Sequence, residues 1–278
     1  MCLFLCSCYN LGNRRKHYMK FTSPGLGFWQ ISKEDAKRVF IEGYEIGYRH
    51  FDTAIAYGNE SQIGEAIKEL KLNREDYWIT SKIPAEIKNY KDAKRAIDES
   101  LARLGIEYLD LMLIHAPKPW ALMLLPGPRY HKGNLEVWRA MLDAKKEGKI
   151  KNLGVSNFNV NDIKNITNNS DEPIFTNQIA VHVGYIQKEI IDYCQKNNII
   201  VEAYSPLGTG RTLNNKTVVK LAKKYNVSPA KLCIKYTDML NTIPLPRSRS
   251  KEHMKDNFNY EFNLSIEDKE ILDKVKSL

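Results

Sequence analysis

Four side chains at four separate places in the chain could carry chemistry together. Asp52 follows His50-Phe51, and Tyr57 comes one short loop later. Lys82 follows Trp78-Ile79-Thr80-Ser81, and His115 follows the apolar run Leu109–Ile114. A phenol free in water titrates near pH 10 and is a poor acid at neutral pH. An ammonium a few Å from its oxygen stabilises the phenolate and would lower that value by about one to three units. The Asp52 carboxylate would keep Lys82 charged and aim it, and a neutral His115 would orient a carbonyl oxygen beside the phenol. The set then reads as a general acid for a carbonyl that is becoming an alkoxide. None of the four is a hydride source, so a cofactor is required. Taken singly, each has an ordinary use: Asp52 as a cap, Lys82 as a solvated loop residue, His115 as a hydrogen-bonded strand end, Tyr57 as surface or core. The functional reading rests on their convergence.

Convergence depends on the elements that carry them. Strand-like runs fall at Gly25–Gln30, Tyr48–Asp52, Tyr77–Ser81, Leu109–His115, Asn152–Ser156, Phe175–Ile179, Ile200–Tyr204 and Thr242–Pro246. Amphipathic helical patterns lie between them. Ser32 caps a helix that Gly47 closes, and Asn59 caps one holding Ile63, Ala66, Ile67 and Leu70. Others cover Asp92–Leu104, Leu135–Glu147, Lys188–Asn197 and, behind the Ser228-Pro229 start signal, Ala230–Leu240. Eight strands with a helix after most of them predict a (β/α)8 barrel, whose C-terminal strand ends form the active face. The other architecture, a doubly wound open sheet, requires a Gly-rich strand–turn–helix fingerprint. Gly25-Leu26-Gly27 lacks the third Gly and is followed by Trp29 and Gln30 rather than a helix. We expect one domain over 1–278, with an N-terminal extension over 1–24 and a helical segment over 251–278 outside the barrel.

Composition limits the function classes. The 278 residues are 43% hydrophobic, enough for a large core, and no run is long and apolar enough for a membrane span. Five Cys make no disulfide scaffold; Cys194 and Cys233 read as reduced core thiols. Cys2, Cys6 and Cys8 crowd the start without the basic and apolar regions of a secretory signal. They read as a frayed end rather than a zinc or lipid site, so the expected location is cytoplasmic and no metal is expected. The net charge of +9 is spread along the chain, apart from Arg14-Arg15-Lys16-His17, and no nucleic-acid motif accompanies it. Anionic small molecules, including a phosphorylated cofactor, suit such a surface.

Several blocks, in order, carry a resemblance. Phe51-Asp52-Thr53-Ala54, Tyr57-Gly58-Asn59-Glu60 and Ile63-Gly64 are followed by Ile79–Lys82 and Leu109–His115. Then come Gly154–Phe158, Asn177-Gln178 and Tyr204–Gly208. From about Gly25 to near the C-terminus the chain resembles the aldo-keto reductase family. The resemblance implies a (β/α)8 barrel with an N-terminal hairpin closing its bottom, and NAD(P)H-dependent reduction of aldehydes and ketones without a metal. It further implies Tyr57 as proton donor, Lys82 and Asp52 as its tuning pair, and His115 as the carbonyl-orienting residue. Ser156, Asn157 and Gln178 match the side chains on the nicotinamide carboxamide, and Tyr204 the aromatic under the ring. Ser205, Leu207, Gly208 and Thr209 match the loop near the pyrophosphate, with Gly27 and Phe28 beside the cofactor. Arg247, Ser248, His253, Asp256 and Asn257 fall on the segment for the adenosine end.

The departures are informative. Arg247 stands where Lys is common, which preserves phosphate binding. His253 stands where Arg is common and can be uncharged near neutral pH. Phe28 replaces a common Thr, and Pro84 and Ala116 replace common pocket Trp residues. The chain also stops soon after its last expected helix, so the C-terminal loop that covers the pocket in many animal members is expected to be absent. Trp29, Trp120 and the Pro117–Asn134 loop remain as walls of an open pocket of broad acceptance. NADPH is the expected cofactor, a small-molecule carbonyl the substrate and a monomer the expected state. The alternatives are a non-catalytic cofactor-binding regulatory protein and a Schiff-base aldolase with Lys82 as nucleophile.

Overall fold

A computed structural model describes residues 23–125, 127 and 129–276. The N-terminal hairpin, the three N-terminal Cys and the Arg14–His17 cluster lie outside the described residues. Eight parallel strands run in the order β1 to β8: Leu26–Gly27, His50–Asp52, Trp78–Ile83, Leu109–Ile114, Ile150–Ser156, Thr176–Ala180, Ile200–Tyr204 and Ile243–Leu245. Flanking backbone completes the circle, because Gly25 N–H donates to Pro244 O at 3.1 Å and Gly27 N–H to Pro246 O at 2.9 Å. A Cβ on Gly25 would stand 2.4 Å from Leu245 Cδ2 and 2.8 Å from His50 Nδ1, so the seam needs glycine there. The fold is the expected (β/α)8 barrel.

Parallel strands covered on both faces are apolar without alternation. Leu109–Ile114 is buried at every position, which is why it was legible. Helix Lys33–Ile46 starts where Asp35 N–H donates to Ser32 Oγ at 3.3 Å and ends at Gly47 with φ 124°. Helix Tyr90–Leu104 is capped by Asn89 and closed by Gly105 at φ 63°, and Pro229–Asp238 is capped by Ser228. His131–Lys146 begins a turn earlier than expected, and Lys188–Lys196 matches. Two helices were not anticipated, Val160–Thr167 and Lys216–Lys224; both are short, and both carry Asn caps, Asn159 and Asn215. Helices Lys251–Phe258 and Ile266–Asp273 form the C-terminal segment. Among the described residues, no helix is long and apolar enough to cross a membrane.

Asn59 is a correction. It precedes helix Glu60–Glu69 but makes no side-chain cap. Its amide instead donates to Phe28 O at 3.0 Å and Ile31 O at 3.1 Å, while Oδ1 accepts from Thr53 Oγ1 at 2.8 Å. Those bonds pin the loop after β2 to the loop after β1. The buried backbone carbonyls there need a donor, and the Asn59 amide supplies it. The next residue, Glu60, is buried and accepts from Ser81 Oγ, Ser100 Oγ and Arg103 Nε at 2.6–2.8 Å, tying the same helix to β3.

Candidate active site

The two strands that carry Asp52 and Lys82 are paired, with Asp52 beside Thr80 in the ladder. Lys82 is fully buried; its Nζ donates to both Asp52 carboxylate oxygens at 2.7 Å and to Thr53 O at 2.8 Å. The Asp52 carboxylate, the Thr53 carbonyl and the Tyr57 phenol together surround the ammonium with acceptors. Above it, the turn Ile55–Tyr57 places the Tyr57 ring with its centre 5.0 Å from Nζ. His115 follows the end of β4, and its ring centre lies 5.6 Å from that of Tyr57 at an interplanar angle of 72°. The four residues converge as their strand-end positions predicted.

Their protonation differs in one respect from the expectation. Burial opposes charge on Lys82, yet the Asp52 carboxylate and then the phenol hold its ammonium above the ordinary value. Burial dominates at Tyr57 and raises the phenol, with the Lys82 charge acting in the opposite direction. The expected lowered phenol is therefore corrected, because desolvation of a phenolate outweighs one neighbouring charge that Asp52 already offsets. Burial, reinforced by Lys82, pushes His115 down to about 3, so its imidazole is neutral at working pH. Its Nδ1 is buried without a hydrogen-bond partner among the described residues.

These groups form the floor of a cleft of about 1010 Å³ at the C-terminal ends of the strands. Every predicted site residue lines it except Lys82, Phe28, Asp256 and Asn257. Lys82 lies beneath the floor. Phe28 is fully buried and packs on Phe40 and Phe51, with ring centres 6.5 and 6.3 Å away, so its side chain belongs to the core. Asp256 accepts from the Ser228 hydroxyl and lies 3.7 Å from Lys231 Nζ, while Asn257 is buried. Ala116 is also buried and absent from the lining; Trp120 supplies an aromatic wall instead, edge-on to His115 at 5.2 Å.

Along one side, the ends of β5, β6 and β7 present an amide-rich patch. Asn157, at φ 61°, donates to His115 O at 3.0 Å and accepts from Tyr204 OH at 2.8 Å. Ser156 Oγ donates to Gln178 O at 2.9 Å, so this pair braces the floor and does not cap a helix. The loop after β7 has positive φ at Ser205, Gly208, Thr209 and Gly210. At the far end, Arg247 donates to Gln30 Oε1 at 3.1 Å, and burial together with Arg249 pulls its guanidinium below the ordinary value. Asp52 is the sole carboxylate in the lining among the described residues, and Lys82 neutralises it. Amides at one end and guanidinium groups at the other, in a cleft of this volume, fit a phosphorylated dinucleotide.

Sequence reasoning missed His182, Tyr185 and Arg211 on the wall. His182 and Tyr185 sit in the loop after β6 and Arg211 in the short 3-10 helix Gly208–Asn214, where no strand-end rule points. Trp29, Trp120 and Tyr185 are 43–45% exposed and form an aromatic rim.

The comparisons with known proteins agree with this geometry. A model described as the aldo/keto reductase family matches residues 19–277. The glycerol 2-dehydrogenase (NADP(+)) of Saccharomyces cerevisiae is 34% identical, covering 90% of this chain and 86% of that protein. The glyoxal reductase of Bacillus subtilis is 34% identical, with 91% and 87% covered. Among solved structures, an aldo-keto reductase enzyme from a Medee basin deep-sea metagenome library superposes with a TM-score of 0.83 at 35% identity, over 91% of this chain and 90% of that one.

Proposed function

Because the chain belongs to the aldo-keto reductase family, a family of carbonyl-reducing oxidoreductases, we propose that it reduces aldehydes and ketones to alcohols with NADPH, Tyr57 donating the proton. The observation that carries this reading is the Lys82–Asp52 pair, buried beneath Tyr57 with neutral His115 beside it.

NADPH, when bound, would supply the hydride. Ser156, Asn157 and Gln178 would hold the carboxamide and Tyr204 the ring face. The loop Ser205–Thr209 would pass the pyrophosphate, while Arg247, Ser248 and His253 would meet the adenosine phosphate; Arg211, which no strand-end rule marked, joins them on the cleft wall. His115, uncharged, would orient the carbonyl oxygen without competing for its proton. Tyr57, whose raised pKa keeps it protonated at neutral pH, gives up its proton only as the alkoxide forms. Lys82 then stabilises the emerging phenolate, an interaction stronger in the transition state than before it. The reading treats residues 1–278 as one domain acting on small-molecule carbonyls.

Neither alternative is favoured. The Asp52 carboxylate and the Tyr57 phenol hold the Lys82 ammonium charged, so it has no lone pair for a Schiff base. A regulatory protein would have no use for the intact acid and its buried counterion pair.

NADPH oxidation with a reactive aldehyde tests the reading. Tyr57→Phe should abolish most turnover while leaving NADPH affinity within about twofold. Near-normal turnover in that variant would remove Tyr57 from its role, and an inactive wild type that binds NADPH would favour the regulatory protein.

A further inference from the structure

Strand periodicity puts a second polar layer beneath the one that meets the cleft. Residues two apart on a strand face the same side. Glu202 therefore lies under Tyr204 on β7, His50 under Asp52 on β2, and Thr80 under Lys82 on β3. Glu202, His50 and Thr80 are completely buried, and none lines the cleft. Gln178 joins the layers: its Nε2 donates to Asp52 Oδ1 and to Glu202 Oε2, each at 2.8 Å. The other oxygen of Glu202 lies 3.7 Å from His50 Nε2, which sits 3.0 Å from Thr80 Oγ1.

A primary amide has two N–H hydrogens and one carbonyl oxygen. Two buried carboxylates take both hydrogens of Gln178, so only Oε1 is left to face the cleft that this residue lines. Without Glu202 one N–H is released, and the amide can turn to offer it. We propose that Glu202 is a positioning residue that fixes Gln178 as a hydrogen-bond acceptor toward the cofactor's carboxamide, and so selects a nicotinamide ring carrying an N–H donor there. The proposal rests on the reading that the cleft takes NADPH.

The test is direct binding to the full chain, by quenching of protein fluorescence, of NADP+ and of its 3-acetylpyridine analogue, in which a methyl group replaces the carboxamide NH2. Wild type should prefer NADP+ by about tenfold, the order of one hydrogen bond lost at a buried acceptor. In Glu202→Leu, Gln178 can turn its freed N–H toward the acetyl oxygen, and the preference should shrink at least threefold. Should Glu202→Leu not fold, Glu202→Met, which also lacks an acceptor, carries the test and should narrow the preference in the same direction, while Glu202→Gln, whose amide oxygen still accepts from Gln178, should keep the wild-type preference. A purely structural role weakens both ligands by one factor; an unchanged ratio in folded Glu202→Leu or Glu202→Met therefore overturns the proposal while leaving the NADPH reading intact. Wild type binding neither ligand overturns both, and wild type binding both equally overturns the role of Gln178.

Discussion

Replacing Lys82 with Met should separate what the buried pair does for the fold from what it does for the reaction. Methionine fills a similar volume, so the main loss is the charge. Asp52 would then keep the Gln178 N–H at 2.8 Å but lose an ammonium that touches both of its oxygens at 2.7 Å. Removing one partner of a buried ion pair costs about 3–5 kcal/mol. An independent ceiling comes from protonation: a stranded carboxylate takes up a proton once that is cheaper than staying charged. For an aspartic acid that titrates near 3.9 in water, binding a proton at pH 7 costs about 4 kcal/mol. The two routes agree on about 4 kcal/mol. The sign with pH follows, since the folded variant would hold a proton that the unfolded chain does not. Stability then falls as pH rises, and the deficit should shrink by about 1.4 kcal/mol for each unit that the pH is lowered from 7 toward 5. The double variant Asp52→Asn/Lys82→Met removes the stranded charge and should regain at least about 2 kcal/mol at pH 7. Neither variant should reduce an aldehyde, at either pH. Urea unfolding followed by circular dichroism at pH 7 and pH 5, beside NADPH oxidation, measures all of this. A single variant as stable as wild type, a double variant no better than the single, or recovered turnover in either would refute the reasoning.

Other outcomes follow from the same geometry. Arg247→Ala should reduce the preference for NADPH over NADH by about tenfold, the low end for a charged hydrogen bond because the guanidinium is only half-buried; dissociation constants for both cofactors check it, and an unchanged ratio would misplace the phosphate. Trp120→Ala should weaken aromatic aldehydes by about 1 kcal/mol while sparing small aliphatic ones, because its ring stands edge-on to His115 at the mouth; KM values for paired substrates decide. His115 takes a proton in the unfolded chain below about pH 6.5 but in the folded protein only at about 3. Stability should therefore fall as pH drops through that window, and less steeply in His115→Asn; urea midpoints at pH 7 and pH 4.5 would expose parallel curves if the imidazole were not buried neutral.

The convergence of the candidate set was legible because barrel strands end on one face, and an Asp, a Lys and a His closing apolar runs stand out against them. Buried parallel strands such as Leu109–Ile114 announce themselves by composition alone. Strand β1 was read too long, as Gly25–Gln30, because Gln30 at φ 58° has already turned out of the sheet. The helices Val160–Thr167 and Lys216–Lys224 were missed because each spans about two turns and is largely polar. The Asn159 and Asp162 capping box was nevertheless there to be found. Phe28 could not be placed from sequence, since its neighbours Gly27 and Trp29 do line the cleft and only the three-dimensional path sends its ring toward Phe40 and Phe51. The raised phenol of Tyr57 was out of reach for a related reason: opposing effects of burial and charge can be ranked only once burial is known.

Floor and rim of the cleft answer to different constraints. Asp52, Lys82 and Gln178 are each held by at least two hydrogen bonds in a buried interior, so a change at any of them disturbs the partners of the others. Such a network keeps its geometry because every member is satisfied, and it punishes partial substitution. Trp29, Trp120 and Tyr185 instead reach into solvent from loops, where replacement costs little stability. On the proposed reading, acid chemistry on a carbonyl would be tied to the barrel itself, while the choice of carbonyl would be left to three exposed rings. Substitutions at the rim should then alter substrate range without touching Tyr57, whereas no change in the floor should alter selectivity without also altering turnover.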